Sequence, residues 1–230
     1  LVAMIEQQQI AKDYDRGLII GAMKMGKTHF TIESLLKPNI GFKKMLIVGS
    51  YHHGSYKSPL PEAGKINVQP ILFSNLAKWC EDEKLLGPRY LSHIDGDEVI
   101  ATLTKHFDMT DKPQSGLIIF EDITSLFNHG KVKENWRKFH YAMRNKKVEL
   151  WYQFHSIKET PPLYLDHCNK IILLRCGDKI GNDTKKRMKL DSYEHFCIAK
   201  TYFAEQVNLY NKTKGKKGTL YPFYLFTNTD

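Results

Sequence analysis

The chain has 230 residues and a net charge of +9, with 34 Lys and Arg residues against 25 Asp and Glu residues. This length is enough for one sizeable α/β domain, and the sequence contains no apolar run long enough for a membrane helix and no visible signal peptide. The 4 cysteines form no Cys-x-x-Cys pair, so we expect neither a disulfide scaffold nor a zinc site. We expect reduced thiols in a cytoplasmic protein instead. The basic balance favours a polyanionic partner such as nucleic acid.

The first elements in chain order predict a strand, a glycine-rich loop and a helix. Residues 1–16 are predicted to be a polar lead-in, and the apolar run at 17–20 a buried strand. Residues 21–28 read GAMKMGKT, which matches the pattern G-x-x-x-x-G-K-T of a P-loop, or Walker A motif. Residues 29–36 then have apolar positions at helical spacing, and Pro38 ends that helix. The motif therefore lies in the strand–loop–helix context that it requires.

The P-loop predicts a site for the phosphates of a nucleotide. Glycine permits a tight turn, and the backbone amides of that turn, together with the positive end of the following helix, bind phosphate oxygens. In such a loop Lys27 reaches the β- and γ-phosphates, and the Thr28 hydroxyl is a ligand for Mg²⁺. We expect nucleotide contacts along this segment, from Gly21, Ala22, Met23, Lys24, Met25, Gly26, Lys27, Thr28 and His29.

The rest of the core alternates between apolar strands and helices. Strands are predicted at 43–50, 117–120, 148–154 and 170–174, helices at 73–84, 97–107 and 134–144, and an irregular connection at 51–70. Near-continuous apolar strands that alternate with helices are typical of a mainly parallel sheet covered on both faces.

The composition changes after Arg175. We predict that residues 1–175 form the core and that 176–230 form a basic extension packed on it, with a helix over 192–210 and an edge strand over 221–226. Basic side chains cluster in two loops of this extension, and they are candidates for DNA phosphate contacts: Lys185, Lys186, Arg187, Lys212, Lys214, Lys216 and Lys217.

Two carboxylates follow the apolar strand at 117–120. Ligand sites of open α/β sheets lie at the carboxyl ends of strands, where the P-loop also lies. A carboxylate there holds Mg²⁺, and a second polarises the attacking water. By position we assign Glu121 to magnesium and Asp122 to water, although the order is the reverse of the usual Asp–Glu order of a Walker B motif.

A third polar group lies at the end of the strand at 148–154. Gln153 and His155 are two residues apart, so both side chains are expected on one face of a strand. Either can contact the γ-phosphate or the attacking water and so sense hydrolysis.

In this order, the motifs resemble the FtsK–HerA superfamily of P-loop ATPases, including the A32-like viral DNA-packaging ATPases and the Zot-like phage assembly proteins. The shared features are GAMKMGKT, the strand LIIFED, a helix ending in Arg144, a strand ending in a polar sensor, and then an apolar strand. The run 155–162, HSIKETPP, is similar to phage members with a His-Ser followed by a Pro pair. The resemblance covers roughly residues 16–175. Spacing favours His155 as the sensor, and residue type favours Gln153.

The resemblance implies a RecA/ASCE-like fold with a five-strand core sheet in the order 5-1-4-3-2 and helices on both faces. It also implies ATP and Mg²⁺ as ligands, and a pentameric or hexameric ring in which a neighbour's arginine completes each site. The candidates for that arginine are Arg144, Arg137 and Arg89.

The function predicted on this basis is an ATP-hydrolysing, DNA-translocating motor, most simply a viral or phage genome-packaging ATPase. Capsid or portal proteins are then expected partners, and the host cytoplasm or the virion the expected location. One alternative is a Zot-like assembly ATPase, which usually carries a membrane helix. Another is a non-motor nucleotide switch or kinase; the Asn211-Lys212-Thr213-Lys214 run lacks the Asp of a guanine-selecting N-K-x-D motif.

Overall fold

The computed structural model of the protein describes residues 14–41, 43–49, 66–92, 95–126 and 132–227. The predicted lead-in falls almost wholly outside these ranges, as does most of the irregular connection predicted at 51–70. None of the helices in the described part is both long enough and apolar enough to span a bilayer.

The described strands form one mixed sheet. They are β1 (Arg16–Ile20), β2 (Lys44–Gly49), β3 (Gln69–Ile71), β4 (Gly87–Ser92), β5 (Gly116–Phe120), β6 (Val148–Phe154), β7 (Lys170–Leu174) and β8 (Phe223–Thr227). Their order across the sheet is β3-β4-β2-β5-β6-β1-β7-β8. Neighbouring strands are parallel except β7 and β8, which are antiparallel. The carboxyl ends of seven strands therefore lie at one edge.

The sheet has eight strands where five were predicted for the core, so the strand count and the complete order differ from the prediction. Within it, the strands predicted for the core follow one another as β7-β1-β6-β5-β2, which is 5-1-4-3-2 in their own chain order. β3 and β4 extend the sheet beyond β2, and β8 extends it beyond β7. The β4 segment was missed because Gly87, Pro88 and Arg89 interrupt its apolar pattern.

The helices cover both faces of the sheet. They are α1 (Lys27–Phe30), α2 (Leu76–Glu81), α3 (Gly96–His106), α4 (Glu134–Asn145), α5 (Pro162–His167), α6 (Asn182–Lys185) and α7 (Leu190–Thr213). α1 continues as a π-helix over Thr31–Leu36 and a 3₁₀ turn over Lys37–Asn39. The helix predicted at 73–84 is shorter than expected, because Phe73–Asn75 is a 3₁₀ turn and α2 ends at Glu81.

Alternation along the strands divides the core between the two faces. In β1, Leu18 and Ile20 join one apolar cluster, with α3 and α4, while Ile19 joins the other, under α1. Most core side chains of the central strands are fully buried, so apolar burial on two faces stabilises the sheet. Phe196, Phe203 and Phe226 belong to the first cluster, which places α7 and β8 against the same core.

Candidate functional site: the P-loop and the ends of β5 and β6

The loop between β1 and α1 lies at the carboxyl edge of the sheet, between the ends of two neighbouring strands. The Gly21 amide donates a hydrogen bond to the Phe154 carbonyl at the end of β6, at 3.0 Å. The Ala22 amide donates to the Arg175 carbonyl just after β7, at 2.9 Å. These two bonds fix the entry of the loop to the ends of β6 and β7.

Gly26 precedes α1 and has a left-handed backbone, with φ of 94°. Glycine adopts this conformation without the steric cost that a Cβ imposes. A Cβ at Gly26 would also lie 2.8 Å from the Cβ of Tyr221, so the position has no room for a side chain. The P-loop glycine is therefore required both by its backbone and by a contact from the segment that precedes β8.

That segment brings two aromatic side chains to the P-loop and α1. The Tyr221 ring centroid lies 6.4 Å from that of His29, and the Phe223 ring meets Phe30 edge-on at 5.1 Å. Nothing in the sequence pattern of 221–226 beyond an edge strand indicated this contact. The structure thus places residues that are far apart in the sequence on one side of the candidate nucleotide site.

Lys27 is the first residue of α1 and is only 8% exposed. Its Nζ donates to the Gly21 carbonyl at 2.7 Å and lies 3.0 Å from Nδ1 of His155. Burial lowers the pKa of Lys27, and the carboxylates of Asp122 and Glu121 oppose that shift. Burial thus disfavours the ammonium form of Lys27, and a polyanion such as triphosphate favours it.

His155 joins the lysine to a carboxylate. Its Nε2 lies 3.1 Å from Oδ1 of Asp122, on the far side of the ring from Lys27. An ammonium group only donates hydrogen bonds, so Nδ1 of His155 accepts from Lys27, whereas the approach of Nε2 to Oδ1 of Asp122 does not have the geometry of a hydrogen bond. We call this arrangement of three side chains the Lys27–His155–Asp122 network.

Asp122 also approaches the lysine directly. Its Oδ1 lies 3.9 Å from Nζ of Lys27. The residue is in the left-handed region, with φ of 45°, which aspartate tolerates better than most residues because its short side chain can bond locally. This turn after β5 is what carries the carboxylate toward β6 and the P-loop, since the chain would otherwise continue along the strand.

Glu121 lies on the other side of the same turn. Its amide donates to the Val48 carbonyl at 2.8 Å, which continues the β5–β2 pairing by one residue. Its side chain is hydrogen bonded to Tyr90 of β4, and burial, followed by the two carboxylates, raises the pKa of that phenol. Tyr90 is a site residue that sequence reasoning missed, because the strand that carries it was not predicted.

Gly49, at the end of β2, is required by this contact. A Cβ there would lie 2.2 Å from the Tyr90 hydroxyl and 3.6 Å from Oε2 of Glu121. The missing side chain therefore lets the tyrosine reach the acidic residue across β2.

Gln153 does not join the network. It is 1% exposed, and its amide nitrogen donates to the Thr31 hydroxyl at 2.9 Å, inside the interface between β6 and the helix that follows the P-loop. β6 ends at Phe154, so His155 lies in the bend after the strand rather than two steps along it. The expectation that both side chains leave one strand face therefore fails at His155, and only His155 reaches Lys27.

The predicted arginines lie away from the P-loop of their own chain. Arg144 is in the last turn of α4 and lines a cavity with Arg16, the first residue of β1, at the amino edge of the sheet. Arg137 is exposed on α4, and Arg89 is half-buried on β4.

The basic residues of the extension are mostly exposed. The exposed ones are Lys185, Lys186, Lys212, Lys214, Lys216 and Lys217. Arg187 is half-buried and donates from Nη2 to the Thr160 carbonyl at 3.2 Å. Asp178 accepts from the amides of Ile157 (2.8 Å) and Lys158 (3.3 Å), so the loop before α6 is bonded to the turn that follows His155.

The residues present fit a nucleotide and a divalent cation. The P-loop has the left-handed glycine and helix start that bind phosphate, and Thr28 offers its hydroxyl in the first turn of α1. Glu121 supplies a carboxylate at the end of β5, which β6 separates from β1, and such oxygen ligands suit Mg²⁺.

Comparison with known proteins gives the fold. No family model and no curated protein matches the sequence. Among solved structures, the genome packaging NTPase B204 from Sulfolobus turreted icosahedral virus 2 in complex with sulfate is similar, with a TM-score of 0.62, 14% identity, and coverage of 94% of this chain and 92% of that chain. The same NTPase in complex with ATP-gammaS gives a TM-score of 0.58, 14% identity, and coverage of 94% and 92%.

The DNA-packaging ATPase B204 from Sulfolobus Turreted Icosahedral Virus gives a TM-score of 0.54 at 15% identity, with coverage of 93% of this chain and 92% of that chain. The predicted α/β fold of a P-loop NTPase is confirmed by these likenesses, which extend over nearly all of both chains. The predicted resemblance to viral packaging ATPases is likewise confirmed: this chain shares the fold of viral genome-packaging NTPases.

Proposed function

We propose that the protein is an ATPase that couples hydrolysis to DNA translocation, as a viral genome-packaging motor. The observation that carries the proposal is the Lys27–His155–Asp122 network, which brings the P-loop lysine, the acid after β5 and the polar residue after β6 together. The fold shared with the B204 packaging NTPases supports the packaging role over other P-loop activities.

Each site residue has a separate role in phosphoryl transfer. The loop amides and Lys27 hold the β- and γ-phosphates, and Thr28 and Glu121 would hold Mg²⁺, which would neutralise phosphate charge. Asp122 orients a water for in-line attack on the γ-phosphorus and accepts its proton. The bond from the γ-phosphorus to the β,γ-bridging oxygen breaks, and ADP and phosphate leave.

His155 is the group we assign to sensing the γ-phosphate. It accepts a hydrogen bond from Lys27 and lies 3.1 Å from Asp122, so a change at either residue alters its contacts. The turn after it is bonded to Asp178 and Arg187, so a movement of His155 has a direct path to the basic loop at 185–187. Gln153 has a supporting part, in which it ties β6 to the helix after the P-loop.

Oligomerisation and DNA binding complete the proposal. We infer a homo-oligomeric ring, with DNA phosphates facing the exposed lysines of the extension in a sequence-independent, salt-dependent contact. One of Arg144, Arg137 and Arg89 then acts on the neighbour's nucleotide, and capsid or portal proteins dock the ring.

The test is ATP hydrolysis measured with and without DNA, together with the mass in solution in the presence of nucleotide. We expect Lys27→Ala to abolish turnover, with Lys78→Ala, an exposed lysine on α2, as the matched control. Full turnover by Lys27→Ala would refute the site. Hydrolysis by a monomer without any response to DNA would favour a nucleotide switch or kinase instead.

The DNA surface has its own test. Charge reversal at Lys216 and Lys217 removes two phosphate contacts, so we expect weaker DNA binding and a shallower salt dependence, with basal hydrolysis unchanged. Fluorescence anisotropy at several salt concentrations measures both. Unchanged DNA binding would show that this loop does not contact DNA.

A further inference from the structure

A second cavity with cationic walls lies at the amino edge of the sheet. It has a volume of about 130 Å³ and is lined by residues of β1, α4, α5 and the turn after α5. A water occupies about 30 Å³ in the liquid, so the cavity has room for about four waters, or for one tetrahedral oxyanion of five heavy atoms. Arg16 begins β1, and the P-loop follows the last residue of that strand, so the two sites lie at opposite ends of β1.

Among the described residues, no carboxylate forms an ion pair with the buried guanidinium of Arg16. Arg16 is 6% exposed, its Nε donates to the His140 carbonyl (3.3 Å), and its Nη1 lies within donor distance of the carbonyls of Val148 (2.8 Å), Asp15 (3.1 Å) and Tyr14 (3.2 Å). Its Nη2 is buried and has no hydrogen-bond partner within the described ranges. The acids closest to it in the sheet, Asp15 and Glu149, form ion pairs with other residues, Lys170 and Lys43.

A buried charge needs a compensating one. Burying an ion without a partner costs several kcal/mol, and carbonyl groups supply only dipoles. An orphaned guanidinium donor adds a further cost, because a buried polar group without a hydrogen bond is expensive. Burying Arg16 therefore lowers the free energy of unfolding, and an anion bound in the cavity would offset that cost.

The other groups of the cavity increase the positive potential. Arg144 contributes a second guanidinium, and its charge, with burial as the larger cause, lowers the pKa of Arg16. His167 is exposed at the carboxyl end of α5 and also lines the cavity. Asp166 is the acid among the lining residues, and it is half-buried.

We propose that this cavity binds a phosphate-class oxyanion between Arg16 and Arg144. Guanidinium groups present forked pairs of N–H donors that match the oxygens of phosphate, which favours phosphate over a spherical anion such as chloride. The oxyanion is either inorganic phosphate or a phosphodiester of nucleic acid. The binding requires no step of ATP hydrolysis, so it stands or falls separately from the function proposed above.

The experiment is an NMR titration of the full chain saturated with a non-hydrolysable ATP analogue, so that the P-loop cannot take the added anion. Inorganic phosphate is added while the imidazole signals of His140 and His167 are followed, because both residues line the cavity. We expect saturable shifts of these two signals, with the signal of His106, which is paired with Glu81, unmoved.

Three variants make the titration decisive. Arg144→Gln removes one fork of charged hydrogen bonds, so phosphate should bind about tenfold more weakly or worse. Asp166→Asn removes the acid of the lining, so phosphate should bind more tightly. Lys138→Gln, exposed on the same helix but outside the lining, is the matched control and should leave the affinity unchanged.

Two results would overturn the proposal. One is the absence of saturable shifts at His140 and His167, and the other is an unchanged phosphate affinity in both Arg144→Gln and Asp166→Asn. Repeating the titration with a short DNA duplex identifies the source of the anion. Displacement of phosphate by the duplex assigns the cavity to the nucleic-acid backbone, and retention of phosphate assigns it to the free anion.

Discussion

Replacing His155 with alanine is the perturbation that tests the candidate site most directly. His155 lies between Lys27 at 3.0 Å and Asp122 at 3.1 Å, and no backbone element of the P-loop depends on its side chain. The variant should therefore keep the loop while removing the link between lysine and carboxylate. Without the ring, Asp122 can pair with Lys27, from which it already lies only 3.9 Å away.

The size of the effect follows from those contacts. Hydrogen bonds to charged groups contribute about 1.5–3 kcal/mol, and each 1.4 kcal/mol, roughly, is tenfold in rate. The His155 side chain is 29% exposed and that of Asp122 is 40% exposed, so solvent screening favours the lower end of that range. We expect kcat to fall about tenfold in His155→Ala, and the nucleotide affinity to change by less than about threefold, because the loop amides and Lys27 remain.

The assay pairs steady-state phosphate release with equilibrium binding of a fluorescent ATP analogue. His106→Ala is the control, since His106 pairs with Glu81 and has no contact with the P-loop. If His155→Ala keeps kcat within about twofold of the control, the network has no catalytic part and the assignment of His155 as the sensor is wrong. A large loss of binding with kcat unchanged would instead make His155 a ground-state contact.

Three further predictions concern the residues around this site and the core. Gln153→Leu and Thr31→Val should each lower the free energy of unfolding by about 1–3 kcal/mol, because each orphans a buried partner, and the double variant should cost less than their sum. Gly49→Ala places a methyl group 2.2 Å from the Tyr90 hydroxyl and should cost about 1–3 kcal/mol in urea unfolding. Burial, with the charge of Arg16 as a lesser cause, lowers the pKa of His140 in the folded chain to about 3. Between that pKa and the value of ~6.5 in the unfolded chain, the unfolded chain binds a proton that the folded chain does not. The free energy of unfolding should therefore fall by up to about 1.4 kcal/mol for each pH unit as the pH drops below ~6.5.

Each of these has a comparison that isolates its cause. Strict additivity of the Gln153 and Thr31 variants would mean that the two side chains do not interact. Gly177→Ala, where an added Cβ meets nothing within 4 Å, is the control for Gly49→Ala, and equal stability of the two variants would refute the Tyr90 clash. His140→Gln should flatten the stability profile between pH 6 and 4, roughly, and an unchanged slope would assign that slope to other groups.

The elements that the sequence predicted well are those with local causes. A glycine loop between an apolar strand and a helix is specified within some twenty consecutive residues, and the structure has it at 16–36. The acids after β5 were expected beside the P-loop because parallel strands end at one edge, and Asp122 does lie 3.9 Å from Lys27. The roles assigned to the individual site residues stay predictions.

The elements that it missed depend on contacts distant in sequence. β3 is the edge strand, where the exposed Pro70 is tolerated, and β4 begins with Gly87, Pro88 and Arg89, so the pattern of neither strand is continuously apolar. Tyr90 could not be found without β4. The choice between Gln153 and His155 depended on the residue at which β6 ends, and strand ends are set by tertiary packing rather than by local preference.

The contact between Tyr221 and Gly26 has a consequence for how the protein reaches its working form. The two residues come from remote parts of the sequence, and their contact forms only when β8 has paired with β7. A nascent chain can therefore shape the loop before its surroundings are complete, and closing so long a loop is a late event in folding. Synthesis must proceed past Tyr221 before the candidate nucleotide site is complete, so a chain interrupted earlier would form the P-loop without the aromatic side chain beside His29.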